Sequence, residues 1–142
     1  MLNFHFILYF YLQWMESSTF TICGPDDMET DWKIRLYPKG LEDCDDFLSI
    51  FLHSENEDLH MKAKCKFSIL DVSKIKHNRK FGKWEWYDEE CPSHGFEEFI
   101  RIDFLESQSA QLLPNDSLTI LSEVTVRSLY SSGSYFLTQR IS

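Results

Sequence analysis

Four stretches of this chain alternate apolar and polar residues with a period of two, and that period restricts the possible folds more than any other feature. Trp32, Ile34 and Leu36 alternate with Lys33, Arg35 and Tyr37. Leu48, Ile50 and Leu52 alternate with Phe47, Ser49 and Phe51. Ala63, Cys65, Phe67 and Ile69 alternate with Lys62, Lys64, Lys66 and Ser68, and Leu118, Ile120, Val124 and Val126 share a face opposite Thr119, Glu123 and Thr125. Successive side chains of a strand point to opposite faces, so each stretch predicts a half-buried strand. The core that follows is Trp32, Ile34, Leu48, Ile50, Phe67, Ile69, Ile120 and Val124. Weaker strand patterns lie at 4–12, 18–22, 81–87 and 134–139.

Turn chemistry separates these runs. Pro38-Lys39-Gly40 and Leu113-Pro114-Asn115-Asp116 each place a fixed-φ proline at a tight turn. Acidic loops at 26–31, 42–46 and 55–58 are expected to be solvated. One stretch changes period: Phe96, Phe99, Ile100, Phe104 and Leu105 recur at steps of three and four, predicting one short helix from about 97 to 110. Seven or eight short strands and one short helix predict an all-β fold, an antiparallel β-sandwich.

A chain of 142 residues fits one domain and is long enough to bury a core without staples. Lys and Arg number 14 against 23 Asp and Glu, a net charge of −9, which argues against a general nucleic-acid partner because such binding needs counterion-releasing basic patches. The alternating Lys62, Lys64 and Lys66 read as the wet face of one strand. Cys23, Cys44, Cys65 and Cys91 form no CxxC pair, which suits a reducing compartment and an expected nuclear or cytoplasmic location. The apolar run at 4–12 lacks a positive flank and a small-residue cleavage site, and it is too short to span a membrane. It is therefore expected to pair as a strand and seal a sheet edge.

No glycine-rich phosphate loop, HExxH pair or GxSxG elbow is present, so catalysis and cofactors are not expected. Cys91 and His94 offer two zinc ligands where a structural site needs four, so no metal is expected either. Binding is the better expectation. Phe47 and Phe51 face away from the predicted core and need a cover or a partner. The run Trp84-Glu85-Trp86-Tyr87 adds aromatics with polar handles, common anchors of recognition sites.

Several segments, taken in order, resemble the MATH (meprin and TRAF homology) domain of the speckle-type POZ protein-like family. They are Ser17-Ser18-Thr19-Phe20; Trp32-Lys33-Ile34-Arg35-Leu36-Tyr37-Pro38-Lys39-Gly40-Leu41; Lys64-Cys65-Lys66-Phe67-Ser68-Ile69-Leu70; Gly95-Phe96-Glu97-Glu98-Phe99-Ile100-Arg101-Ile102-Asp103-Phe104-Leu105; and Leu112-Leu113-Pro114-Asn115-Asp116-Ser117-Leu118-Thr119-Ile120. The resemblance implies an eight-stranded antiparallel sandwich that docks short, Ser/Thr-rich extended peptides in a shallow groove. It implies substrate recognition for cullin-based ubiquitination, with the ligase reached only through a BTB/POZ module, which is not seen after Val126. The implied organisation is an atypical apolar segment at 1–14, a MATH domain at 15–126 and an extension at 127–142.

The implied groove residues are Phe51, Cys65, Trp86 (or Trp84), His94, Gly95, Phe96, Glu97 and Glu98. Cys65 replaces a family aromatic, His94 replaces a tryptophan, and Glu97 and Glu98 replace two lysines. Alternation puts Cys65 on the core face with Phe67, whereas the resemblance puts it in the groove; both hold only if the sheet bulges or turns there. Two other readings stay open at this point: a TRAF-like scaffold binding receptor tails without ubiquitin, and a degenerate family copy.

Overall fold

In a computed structural model, the described residues are 2–5, 14–23, 28–41, 46–56 and 60–128. The expected strand at 134–139, residues 6–12 of the apolar run, and parts of the three acidic loops lie outside them. The strands are β1 (Leu2–His5), β2 (Met15–Glu16), β3 (Phe20–Cys23), β4 (Glu29–Tyr37), β5 (Phe47–Ser54), β6 (Met61–Leu70), β7 (Lys76–Phe81), β8 (Glu85–Tyr87), β9 (Ser93–Arg101) and β10 (Ser117–Ser128). Two short helices, α1 (Ile102–Ser107) and α2 (Ser109–Leu112), precede β10.

The strands form two antiparallel sheets, one ordered β1-β10-β6-β7 with β8 also on β6, the other β2-β4-β5-β9 with β3 also on β4. The paired short segments are interrupted edge strands. Met15 and Glu16 face Leu36 and Arg35, while Phe20 to Cys23 face Trp32 to Glu29 along the same edge of β4, offset by one residue. At that offset the Ser17 hydroxyl accepts the Ile34 amide at 2.9 Å, doing the work of a backbone carbonyl. In the same way β8 and β7 share one edge of β6, at Met61–Ala63 and Lys66–Leu70. With each interrupted pair counted as one line, four strand lines per sheet remain, the eight expected.

All eight residues expected in the core are fully buried between the sheets. Period two explains this directly: Thr30, Trp32, Ile34 and Leu36 of β4 are buried, and the residues between them are half-exposed. The Trp32 ring crosses the sandwich to meet Tyr87 edge-on, centroids 5.1 Å apart, and its indole N–H donates to Thr30 Oγ1 at 2.9 Å. A buried indole therefore keeps its one donor satisfied. At the amino terminus, Leu2 to His5 pair with Ile120 to Ser117 of β10.

The helix expected over 97–110 is a correction. Residues 93–101 are strand, and helix begins only at Ile102. Along β5 and β9, Ile50 opposes Phe96 but Leu48 opposes Ile100, so four residues of β9 span two of β5. This bulge buries Phe99 and Ile100 in succession and reproduces a helical spacing without a helix. Phe104, expected on the buried stripe, is half exposed, and Leu105 fills the core from α1.

Candidate functional site

The open end of the sandwich between β6, β8 and β9 holds a pocket of about 320 Å³, lined by Cys65, Phe81, Gly82, Lys83, Glu85, Tyr87, His94, Gly95 and Phe96. Its walls come from both sheets. Phe96 opposes Ile50 and so points inward, where its ring meets Phe67 edge-on at 6.1 Å. His94 opposes Leu52, also on the inner side, and stands edge-on to Tyr87 at 4.6 Å. His94 Nε2 donates to the Trp86 carbonyl at 2.6 Å, and Nδ1 lies 3.8 Å from Glu85. Since a carbonyl can only accept, this bond fixes the imidazole's orientation at the pocket wall.

Two glycines permit these approaches. A Cβ on Gly95 would stand 2.1 Å from the Ile50 carbonyl oxygen and 2.6 Å from Phe51 Cα. β9 can therefore close onto β5 only because Gly95 has no side chain. A Cβ on Gly82 would stand 2.8 Å from the Cys65 carbonyl oxygen, which already accepts the Gly82 N–H at 2.7 Å. Here the edge strand breaks between β7 and β8, and the chain presses against Cys65.

Cys65 satisfies alternation and also lines the pocket. It faces inward with Phe67, as period two requires, and it also forms part of the pocket wall. Both are possible because the pocket opens inside the sandwich, beside the register shift between Phe67 and Ile69 where β7 joins β6. Burial, with a smaller contribution from the Glu85 charge, pushes the Cys65 thiol up to about 12. Burial, helped by Cys65 and Glu85, also pushes the Tyr87 phenol well above its ordinary range. Both groups are therefore neutral at physiological pH and present uncharged walls. Iodoacetamide at neutral pH should label the exposed free thiols of Cys23 and Cys91 and spare Cys65, as read by peptide mass spectrometry. Labelling of Cys65 at a similar rate would show that the pocket opens far wider than this.

Cys65, His94, Gly95 and Phe96 thus come together, and the other sequence-predicted residues lie elsewhere. Phe51 opposes Gly95 but faces outward, edge-on to Tyr37 at 5.6 Å. Phe47, also outward, lies under the Arg101 guanidinium at 5.5 Å. Trp86 and Trp84 lie on the outer face of the other sheet, beneath Lys62 at 4.8 Å and Lys64 at 5.0 Å. Tyr87 takes the inward place instead, because alternation along β8 turns only Glu85 and Tyr87 towards the pocket. Glu97 and Glu98 are exposed on β9 beyond the pocket, in strand rather than at a helix start. Sequence reading missed Phe81, Gly82, Lys83, Glu85 and Tyr87. The alternation within Trp84-Glu85-Trp86-Tyr87 was the available signal for the last two.

Outward on the β4–β5 sheet, Glu16 binds Arg35 at 2.7 Å and Lys33 at 3.3 Å, and Lys33 also reaches Glu55 at 3.3 Å. Burial alone would raise the Glu16 carboxyl, but hydrogen bonds from Arg35 and Lys33 outweigh it and hold the group below its usual range. The network ties edge strand β2 to the sheet. Among the described residues, no group of three or more His, Cys, Asp or Glu is arranged to hold a metal. Likewise, no helix among them is long and apolar enough to cross a membrane. A family model described as the MATH domain matches residues 11–124.

Proposed function

The chain belongs to the MATH domain family, whose members are generally protein-interaction modules, and from that premise we propose that it docks short, extended, Ser/Thr-rich peptide segments of other proteins. The observation that carries this reading is the pocket at the open sandwich end, floored by neutral Cys65 and Tyr87 and walled by Phe96 and Phe81. A space of about 320 Å³ suits one apolar side chain of a peptide, with the flanking backbone lying across β9. Where family members carry an aromatic, Cys65 leaves room below Phe96. In the longer proteins of the speckle-type POZ family, this docking step supplies substrates to a cullin-based ligase through a BTB/POZ module. We assign the same role to this domain in company with such a module, within the nucleus or cytoplasm.

The exposed Glu97 and Glu98 give the β9 side a negative rim, so basic flanks on a peptide should be steered in and acidic or phosphorylated flanks repelled. Each rim pair is worth about 1 kcal/mol or less, so this affects selectivity and association rate more than depth of binding. A peptide array followed by calorimetry tests the reading. Phe96→Ala should weaken the best array peptide by about 2 kcal/mol, near thirty-fold, with circular dichroism unchanged. Glu97→Lys with Glu98→Lys should shift the array from basic towards acidic flanks. Unchanged affinity in a folded Phe96→Ala variant would remove the pocket from the account.

A further inference from the structure

The outer face of the β10-β6-β7/β8 sheet carries a lysine ladder that meets the peptide pocket only at Phe81. Lys62, Lys64 and Lys66 alternate outward along β6, and each ammonium lies over an aromatic ring of the neighbouring edge, on β7, on β8 or in the break between them. Lys62 covers Trp86 at 4.8 Å, Lys64 covers Trp84 at 5.0 Å and Lys66 covers Phe81 at 5.0 Å. Across the sheet Lys62 opposes the exposed Arg127, and Lys64 opposes Thr125. Glu123 also stands on this face, held by Lys66 at 3.2 Å. The rings are not buried for the sake of the core: Trp86 is 43% exposed and Phe81 67% exposed. A chain of net charge −9 has therefore gathered an ordered positive stripe on one sheet face.

We propose that this ladder binds an acidic, extended segment of a partner protein. Three physical points support that occupant. Same-side residues on a strand are about 6.6 Å apart, so the ammonium groups of Lys62, Lys64 and Lys66 repeat at the spacing of alternate carboxylates on an extended chain. Each ring holds its lysine in place by cation–π attraction, so less side-chain freedom is lost when a carboxylate arrives. The charges are complementary, and rim charges of this kind raise association rates. A single-stranded nucleic acid fits less well. One face of each ring is already taken by a lysine, so bases lose the platforms they need, and the remaining charge of the chain repels a long polyanion.

The test uses the full chain and three fluorescein-labelled ten-residue peptides, Asp/Glu-rich, neutral Ser/Thr-rich and Lys-rich, read by anisotropy at low and high salt, with a single-stranded oligonucleotide alongside. The acidic peptide should bind, weaken as salt rises, and bind equally well to a Phe96→Ala variant, which separates it from peptides that seek the pocket. Lys62→Glu with Lys64→Glu should weaken it about ten-fold or more, and Lys62→Arg with Lys64→Arg should retain it. Binding of the Ser/Thr-rich array peptide in the pocket should not change in the Glu variant, which separates this surface from the pocket. If that variant fails to fold, Lys62→Gln with Lys64→Gln makes the same measurement without like-charge repulsion. The proposal is overturned by the absence of salt-sensitive binding of the acidic peptide, by binding indifferent to the folded Lys variants, or by an oligonucleotide that binds while the acidic peptide does not.

Discussion

Trp32→Ala is expected to destabilise the domain by about 3–5 kcal/mol, measured as a shift of the urea midpoint at unchanged slope. Trp32 is fully buried, and its ring is the contact between β4 and Tyr87 across the sandwich. Its removal deletes the largest transfer contribution of any single core side chain and leaves a hole bounded by two rigid sheets, which relax little. It also leaves the Thr30 hydroxyl without the indole donor, although Thr30 keeps its own bond to the Ile22 carbonyl at 3.3 Å. Against a total stability of about 5–15 kcal/mol, a loss of that size brings the domain close to unfolding. An unchanged midpoint would mean that the β4 register is wrong, because a one-residue slip moves Trp32 to solvent.

Gly95→Ala should be nearly as costly, about 2–3 kcal/mol or more, and it should also abolish peptide docking. The added Cβ would meet the Ile50 carbonyl oxygen at 2.1 Å and Phe51 Cα at 2.6 Å, both backbone atoms with no rotamer to yield. β9 must then move off β5 near the pairs that place Phe96 and His94 in the pocket. Gly82→Ala presents its Cβ 2.8 Å from one backbone oxygen at an edge strand, so it should cost less. Equal melting temperatures for the wild type and Gly95→Ala would contradict this close approach.

The two sheets were legible because β4 alternates throughout and β5, β6 and β10 alternate over part of their length, and burial of one face leaves period two little choice. β9 was not legible. Its bulge places Phe99 and Ile100 in the core consecutively, and a two-residue surplus on a strand imitates the three-to-four spacing of a helix. The pocket was half legible. Cys65, His94, Gly95 and Phe96 followed from the ordered resemblance, but Phe81 and Gly82 enter only through the break between β7 and β8, a non-local pairing that no local pattern encodes. The resemblance places Trp86 (or Trp84) in the groove, whereas alternation with Tyr87 turns Trp86 outward, beneath Lys62. The lysine stripe was read as a wet strand face, which it is; the rings beneath the ammonium groups needed the fold.

The central claim is that extended peptides dock at the open sandwich end, and an amide-shift NMR titration of the labelled domain with its best array peptide tests it most directly. The account predicts shifts concentrated at Cys65, Gly82, Tyr87 and His94 to Phe96, with the outer-face lysines of β6 unmoved by that peptide. Shifts confined to the outer faces, or none at saturating peptide, would contradict it.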